Sequence, residues 1–360
     1  MERIIRPYVN FDELKDSFKD ICDSGIFTRG KYVSAFRDEI ARFTDAGYAF
    51  TTSSCTTALW LALKVLGVGS GDDVAVSDFS FPATANVVED LGANVRFVDV
   101  SLKTFNMLQS ELTRVLTKQT KAVIYVDAFG NPSGILGIRQ VCKDMGVPLI
   151  EDAACAFGSA INGLRCGNVA DITCFSFHPR KLITTGEGGA ITTNNCDIAG
   201  RLELKLNHGG KMQDNRLTFP DFGYNFRMSE FQAAVGLKQI NKFDAIISSR
   251  QEAMKFYTDA LATIGFTPQA VDDGVYHNVQ SVVFNVARDV DRDGLIRHLY
   301  KHDIESTIGT YSLSNCDYYQ WKYGQSLKNS RFLQDTTITL PCHETANIKH
   351  ICDTILSYVR

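Results

Sequence analysis

Between residues 48 and 195 the chain alternates short β-type runs with helical ones, and few folds accommodate that rhythm. The β-type runs fall at 48–52, 73–77, 95–98, 122–126, 147–150 and 172–177. Helical patterns at 57–66, 83–91, 110–116 and 138–145 lie between them, and Gly67 and Gly92 close two of these. The runs are continuously apolar rather than alternating, as expected of strands buried on both faces. An α/β layer architecture follows, with a mostly parallel sheet of about seven strands flanked by helices.

Beyond this region a strand is expected at 190–193, then helices near 198–206 and 229–239 and a long helix at 244–261. The final hundred residues change style. They offer a strand at 280–286, an amphipathic helix at 291–302, an aromatic loop at 311–323 and a terminal helix, together a smaller α+β unit. A chain of 360 residues has room for a large unit and a small one. No Gly/Ser-rich or Pro-rich linker separates them, so the boundary is placed inside the long helix, giving units 1–245 and 246–360.

A net charge of −4 with scattered Lys and Arg gives no electrostatic footprint for nucleic acid or an anionic membrane. The ten cysteines form no C-x-x-C pair, and no histidine is spaced with them for zinc. Several lie in apolar runs, where a thiol packs as a small side chain. Reduced thiols in a cytoplasmic protein are the expectation. No signal-peptide core opens the chain, and no apolar stretch is long enough to span a bilayer.

In open α/β sheets ligands gather beyond the carboxyl ends of the strands, and four segments fall there. Ser53-Ser54-Cys55-Thr56-Thr57 opens a helix, where free amides with the Thr56 and Thr57 hydroxyls suit a phosphate; the same hydroxyls would serve as ordinary caps. Glu151-Asp152-Ala153-Ala154 ends a strand, with Asp152 the better carboxylate for a flat ring and Glu151 turned to the other face. Phe81 follows the strand at 73–77 and offers an aromatic face, for stacking or for core packing. The fourth segment, Phe175-Ser176-Phe177-His178-Pro179-Arg180-Lys181, carries a lysine on a glycine- and hydroxyl-rich turn. A low-dielectric wall there would lower its ammonium pKa and free the amine as a nucleophile toward a phosphorylated aldehyde, pyridoxal 5'-phosphate. Ser176, five residues earlier, can touch the same phosphate.

These segments, with Asn207-His208-Gly209 and Gly223-Tyr224-Asn225-Phe226-Arg227-Met228-Ser229-Glu230, occur in order. Together they resemble the DegT/DnrJ/EryC1/StrS family of sugar aminotransferases, from about Gly25 into the mid-200s and more loosely to the C-terminus. The resemblance implies the aspartate aminotransferase type I fold and a homodimer with active sites at its interface. It implies Lys181 as the cofactor-bearing lysine, Asp152 as partner of the ring nitrogen, and Thr56, Thr57 and Ser176 at the phosphate. Phe81 falls where the family stacks an aromatic on the ring, and Asn225 where it sends an asparagine to the partner's cofactor. His178 falls near the site, in a catalytic or a subunit-bridging role. One departure stands out: Cys155 follows Glu-Asp-Ala-Ala where the family has Gln or His near the ring, so a different tuning of the ring is expected there.

The implied reaction is transamination of a nucleotide-linked keto sugar, most typically a 4-keto-6-deoxyhexose on dTDP, UDP or GDP, with glutamate or glutamine as amino donor. Substrate contacts are expected from Phe27, Thr28, Arg29, Lys211, Arg227 and Tyr311. A 3-keto sugar, a cyclitol or an aminoshikimate-type ring is the alternative acceptor, and a non-catalytic regulatory protein binding the same cofactor is a further one. The deoxygenating branch of the family resembles this motif with histidine at the lysine position, so Lys181 opposes that reading.

Overall fold

Seven strands form the central sheet of the computed structural model, which describes residues 1–359. They are β1 (Tyr48–Thr52), β2 (Asp73–Ser77), β3 (Asn94–Val98), β4 (Thr120–Val126), β5 (Leu149–Asp152), β6 (Ile172–Ser176) and β7 (Gly189–Thr193). Their spatial order is β1-β7-β6-β5-β4-β2-β3, and β7 alone runs antiparallel to its neighbours. The strands lie close to their expected positions. β5 begins later than expected and runs through Asp152, because Pro148 has no amide proton and contributes only its carbonyl, to the Val123 amide.

Both faces of the sheet are buried, which explains the unbroken apolar runs. Val74, Val76, Ile124, Ile150, Cys174 and Ile191 pack on one side with Ala58, Leu59 and Ala62 of the helix Cys55–Val65. Their strand neighbours Ala75, Val123, Tyr125 and Leu149 face the opposite layer with Ile135 and Ile138. Alternate side chains of a strand point to opposite faces, so an all-apolar strand needs helices on both.

The C-terminal part builds its own four-stranded antiparallel sheet from Thr267–Pro268, Val282–Asn285, Thr337–Leu340 and Thr307–Ile308. Tyr257, Leu261, Phe284, Leu295, Leu299, Ile338, Ile351 and Ile355 fill the core beneath it. The segment expected as an aromatic loop is instead ordered structure. Tyr311–Ser312 pairs with Phe79–Ser80, and Asp317–Tyr323 is a helix whose Tyr319 and Tyr323 pack edge-on against Phe97 of β3. A polar–aromatic run such as Asp-Tyr-Tyr-Gln-Trp-Lys-Tyr has no clear periodicity on its own, and packing against the large sheet decides its conformation.

Two amphipathic helices near the N-terminus, Phe11–Ser24 and Lys31–Thr44, were not expected. The second is capped from afar: the buried Glu230 carboxylate accepts the amides of Gly30, Tyr32 and Val33. Among the described residues no helix is long and apolar enough to cross a membrane.

Candidate active site

Antiparallel pairing of β7 with both β1 and β6 sets Gly189 between Thr52 and Ser176, at the carboxyl edge of the parallel strands. A side chain at Gly189 would strike the helix that starts beside it: a Cβ there would lie 2.5 Å from the Ser54 carbonyl carbon and 2.6 Å from the Cys55 amide nitrogen. Glycine lets the start of the helix Cys55–Val65 come against the end of β6, so helix amides and Ser176 converge on one spot. Within this cup the Ser54 hydroxyl accepts the Thr57 amide and the Thr57 hydroxyl accepts the Ser54 amide, a capping box. The Ser53 and Thr57 hydroxyls lie 3.2 Å apart, and Thr56 is exposed at the mouth.

Asp152 ends β5 beside Cys174 of β6 and is buried. Burial pushes its carboxyl up, while the Thr84 hydroxyl, the Ala154 amide and the charge of Lys181 favour the ionised form. Oδ2 accepts the Thr84 hydroxyl at 2.8 Å, and Oδ1 accepts the Ala154 amide at 3.2 Å. Thr84 in turn lies 2.8 Å from the Ser80 hydroxyl, so a hydrogen-bonded chain links Asp152 to the strand Phe79–Ser80. Sequence reasoning missed Thr84. The available signal was its place in the first turn of the helix Ala83–Asp90, one turn from Ser80.

Lys181 reaches back under this group, with Nζ 3.1 Å from the Cys155 sulfur. Burial acts to lower its ammonium pKa, but Cys155, Cys55 and Asp152 outweigh it and the net displacement is upward. The expected depression is therefore corrected: the wall behind the lysine is low in polarity but carries acidic groups. Glu151 does face away, accepting the Thr173 hydroxyl and the Gly167 amide on the far side of the sheet. There it meets Asp127 and Cys166 in a fully buried trio whose ligand-type atoms lie within 4.8 Å of one another. Burial and the neighbouring Glu151 push the Asp127 carboxyl well up, and burial raises Glu151 as well. Among the described residues both Asp127 oxygens and Glu151 Oε1 take no partner, which suits two carboxyl groups holding protons rather than two charges.

The remaining candidates divide between two places. Phe81 is 65% exposed at the strand ends, and its ring lies edge-on to Tyr311, 6.3 Å between centroids. Arg29, Lys211 and Arg227 line a separate groove of about 1270 Å³ that neither Lys181 nor Asp152 enters. Burial and the adjacent Arg29 lower the Arg227 pKa, and its Nε and Nη1 are buried without an acceptor among the described residues. Phe27 stacks on Phe231, and Thr28 bridges to Ser229, which holds Arg29 over the groove with φ of 58°. His178 stays on the lysine turn, its Nδ1 accepting the Arg180 amide and its Nε2 3.8 Å from Glu187; burial lowers its pKa against that carboxylate. Asn225 is exposed, and the adjacent Phe226 carbonyl accepts the Ser53 amide at 2.7 Å.

The donor set fits pyridoxal phosphate. The cup at Gly189 offers amides and hydroxyls to an anion, buried Asp152 gains from a cationic N–H, and an amine stands nearby. Comparisons with known proteins agree. Residues 10–356 match the model of the DegT/DnrJ/EryC1/StrS aminotransferase family. A GDP-perosamine synthase of Vibrio cholerae is 32% identical over 366 residues, covering 99% of this chain and 98% of that protein. A UDP-2-acetamido-2-deoxy-3-oxo-D-glucuronate aminotransferase of Pseudomonas aeruginosa is 34% identical over 269 residues, 71% of this chain and 74% of that one. Among solved structures, the aminotransferase TlmJ from Streptoalloteichus hindustanus superposes with a TM-score of 0.94 at 26% identity, covering 100% of this chain and 99% of that one.

Proposed function

We propose, for a chain that belongs to the DegT/DnrJ/EryC1/StrS aminotransferase family and is a pyridoxal-phosphate-dependent aminotransferase of the type I fold, that its acceptor is a nucleotide-linked keto sugar. The acceptor is most simply a 4-keto-6-deoxyhexose, with glutamate or glutamine as amino donor. The placement of Lys181 against Cys155 and the buried Asp152, beside a phosphate cup, carries the transamination, and the similarity to a GDP-perosamine synthase supports the acceptor. When bound, the cofactor supplies an electrophilic carbonyl carbon and an electron-withdrawing ring.

In this reading Lys181 Nζ would hold the cofactor and, once its amine is free, would serve as the base and acid that carries a proton during transamination. Asp152, steadied by Thr84 and Ala154, keeps the ring nitrogen protonated. Thr56, Thr57 and Ser176 would hold the phosphate, and Phe81 would supply an aromatic face for the ring. The unpaired guanidinium of Arg227, with Arg29 and Lys211, suits the diphosphate of the sugar nucleotide. Asn225 is exposed and free to serve a second copy of the chain in a homodimer. Two units, 1–245 and 246–360, and a cytoplasmic enzyme complete the proposal. The similarity to an aminotransferase of a 3-oxo sugar supports a C3-keto acceptor as the second reading.

The test begins with colour. Purified protein given pyridoxal phosphate should turn yellow, borohydride should fix the label on Lys181, and Lys181→Ala should take none. A colourless wild type sinks the cofactor reading. Incubation with glutamate or glutamine, followed by mass spectrometry on a panel of 4-keto and 3-keto nucleotide sugars, then decides the acceptor. No aminated product from any of them excludes both.

A further inference from the structure

Asp78 is buried just past the end of β2, and its carboxylate receives four hydrogen bonds, all from the C-terminal part of the chain. Its Oδ1 accepts the Ser314 amide at 2.6 Å. Its Oδ2 accepts the hydroxyls of Ser314 at 2.8 Å, Ser312 at 3.0 Å and Ser330. The Asp78 carbonyl also accepts the Leu313 amide at 2.8 Å. At the end of the adjacent strand β3, Asp99 accepts the amides of Asn329 and Ser330, both at 3.0 Å. Those amides open the helix Lys328–Thr336, which has no cap of its own. Two carboxylates on neighbouring strand ends therefore grip one returning segment.

That grip lies next to the site. Asp78 directly precedes Phe79–Ser80, which pairs with Tyr311–Ser312 and aligns Tyr311 with Ser80. Ser80 continues through Thr84 to Asp152, and Phe81 meets the Tyr311 ring. Beneath the pairing, Phe79, Phe105, Phe129, Val100 and Leu333 form a small apolar cluster.

We propose that Asp78 is a positioning residue: by docking residues 311–331 on the sheet ends it sets Tyr311 against Phe81 and governs entry of the bulky acceptor rather than the small amino donor. The acceptor half of this statement rests on the transamination reading; the docking half does not. The joint also has a pH dependence. Burial lifts the Asp78 carboxyl to about 6, against the Ser330, Ser314 and Ser312 donors that favour its ionised form. The other ionisable groups around it are Cys316, whose thiol is raised by burial and by Asp78, with Asp317 beside it, Asp99 on β3's end, and Arg331, turned to Asn315. None of these donates to Asp78. A docked carboxyl with a raised pKa binds its proton more tightly than a solvated one. Docking is thus strongest below the solvated pKa and weakens as pH rises toward 6.

The test is hydrogen exchange of residues 309–331 in the holoenzyme, corrected for intrinsic rates, together with the two half-reactions measured separately. Wild-type protection should fall about tenfold between pH 5 and pH 7.5. Asp78→Asn should keep the segment docked and lose that slope. Asp78→Ala, which orphans four donors, should speed exchange there at least tenfold. It should raise KM for the keto sugar at least tenfold, a larger loss than in the donor half-reaction. Unchanged exchange in Asp78→Ala, or equal losses in both half-reactions, overturns the proposal. If Asp78→Ala does not fold, a wild-type pH slope in Asp78→Asn overturns it alone. Should the wild type aminate no keto sugar, the function reading fails while the exchange arm still reports on docking.

Discussion

Lys181 Nζ lies 3.1 Å from Cys155 Sγ, and this contact is the chief reason that the buried lysine holds its proton more firmly than burial alone would allow. Only the free amine attacks an aldehyde, so cofactor loading into the apoenzyme should quicken as pH rises toward the raised lysine pKa. In Cys155→Ala burial acts with less opposition, and the midpoint of the loading rate against pH should move down. Stopped-flow absorbance of pyridoxal phosphate uptake gives both profiles. Superimposable curves would remove Cys155 from this role.

Thr84 is the residue through which Asp152 is tied to the rest of the site. Thr84→Val keeps the shape and deletes one donor to a buried carboxylate, which costs about 1–3 kcal/mol. Asp152 should then be harder to ionise and hold the ring nitrogen less well. Cofactor Kd should rise at least fivefold, and Thr84→Ser should restore it. Equal affinity in Thr84→Val and wild type would show that the Ala154 amide suffices.

Where information about this site is local, the residues declare it. Asp152 and Lys181 stand at ends of apolar strands, and the rhythm of strands and helices that brings those ends together is itself visible in the chain. What is not visible is whatever depends on contact between distant segments. The upward pKa of Lys181 needs Cys155, 26 residues away, and Cys55 at the start of a distant helix. The helix Lys31–Thr44 hides its start because its cap is Glu230, 198 residues from Tyr32. The stretch 317–323 reads as a loop because its ordering comes from Phe97 and Glu89 of the large sheet layer. Each is a tertiary decision layered on a weak local preference.

Gly189 tests the phosphate cup without touching any hydroxyl. A Cβ there meets backbone atoms of Ser54 and Cys55, which cannot swing aside as a side-chain tip would. Gly189→Ala should push the helix start away from β6 and lose about 1–3 kcal/mol of stability. Cofactor affinity should fall at least tenfold, while pyridoxal without its phosphate should bind as weakly to the variant as to wild type. Denaturant midpoints and equilibrium dialysis measure the two effects. A variant with intact phosphate discrimination would place the anion elsewhere.

Asp127 and Glu151 provide the clearest dependence of stability on pH. Burial, then mutual repulsion, raises Asp127, and burial raises Glu151 although Thr173 and Gly167 favour its charge. In the folded chain the pair keeps protons that the unfolded chain releases near pH 4. Its stabilising effect is therefore complete below that value and is lost as pH rises toward the raised folded pKa values. Asp127→Asn replaces one acid with a neutral amide that can donate to the unpartnered Glu151 Oε1. The variant should match wild type near pH 5 and exceed it by about 1–3 kcal/mol at pH 8. Urea unfolding of the apoprotein at the two pH values decides the matter, and a wild type that gains stability from pH 5 to pH 8 relative to Asp127→Asn refutes the protonated-pair account.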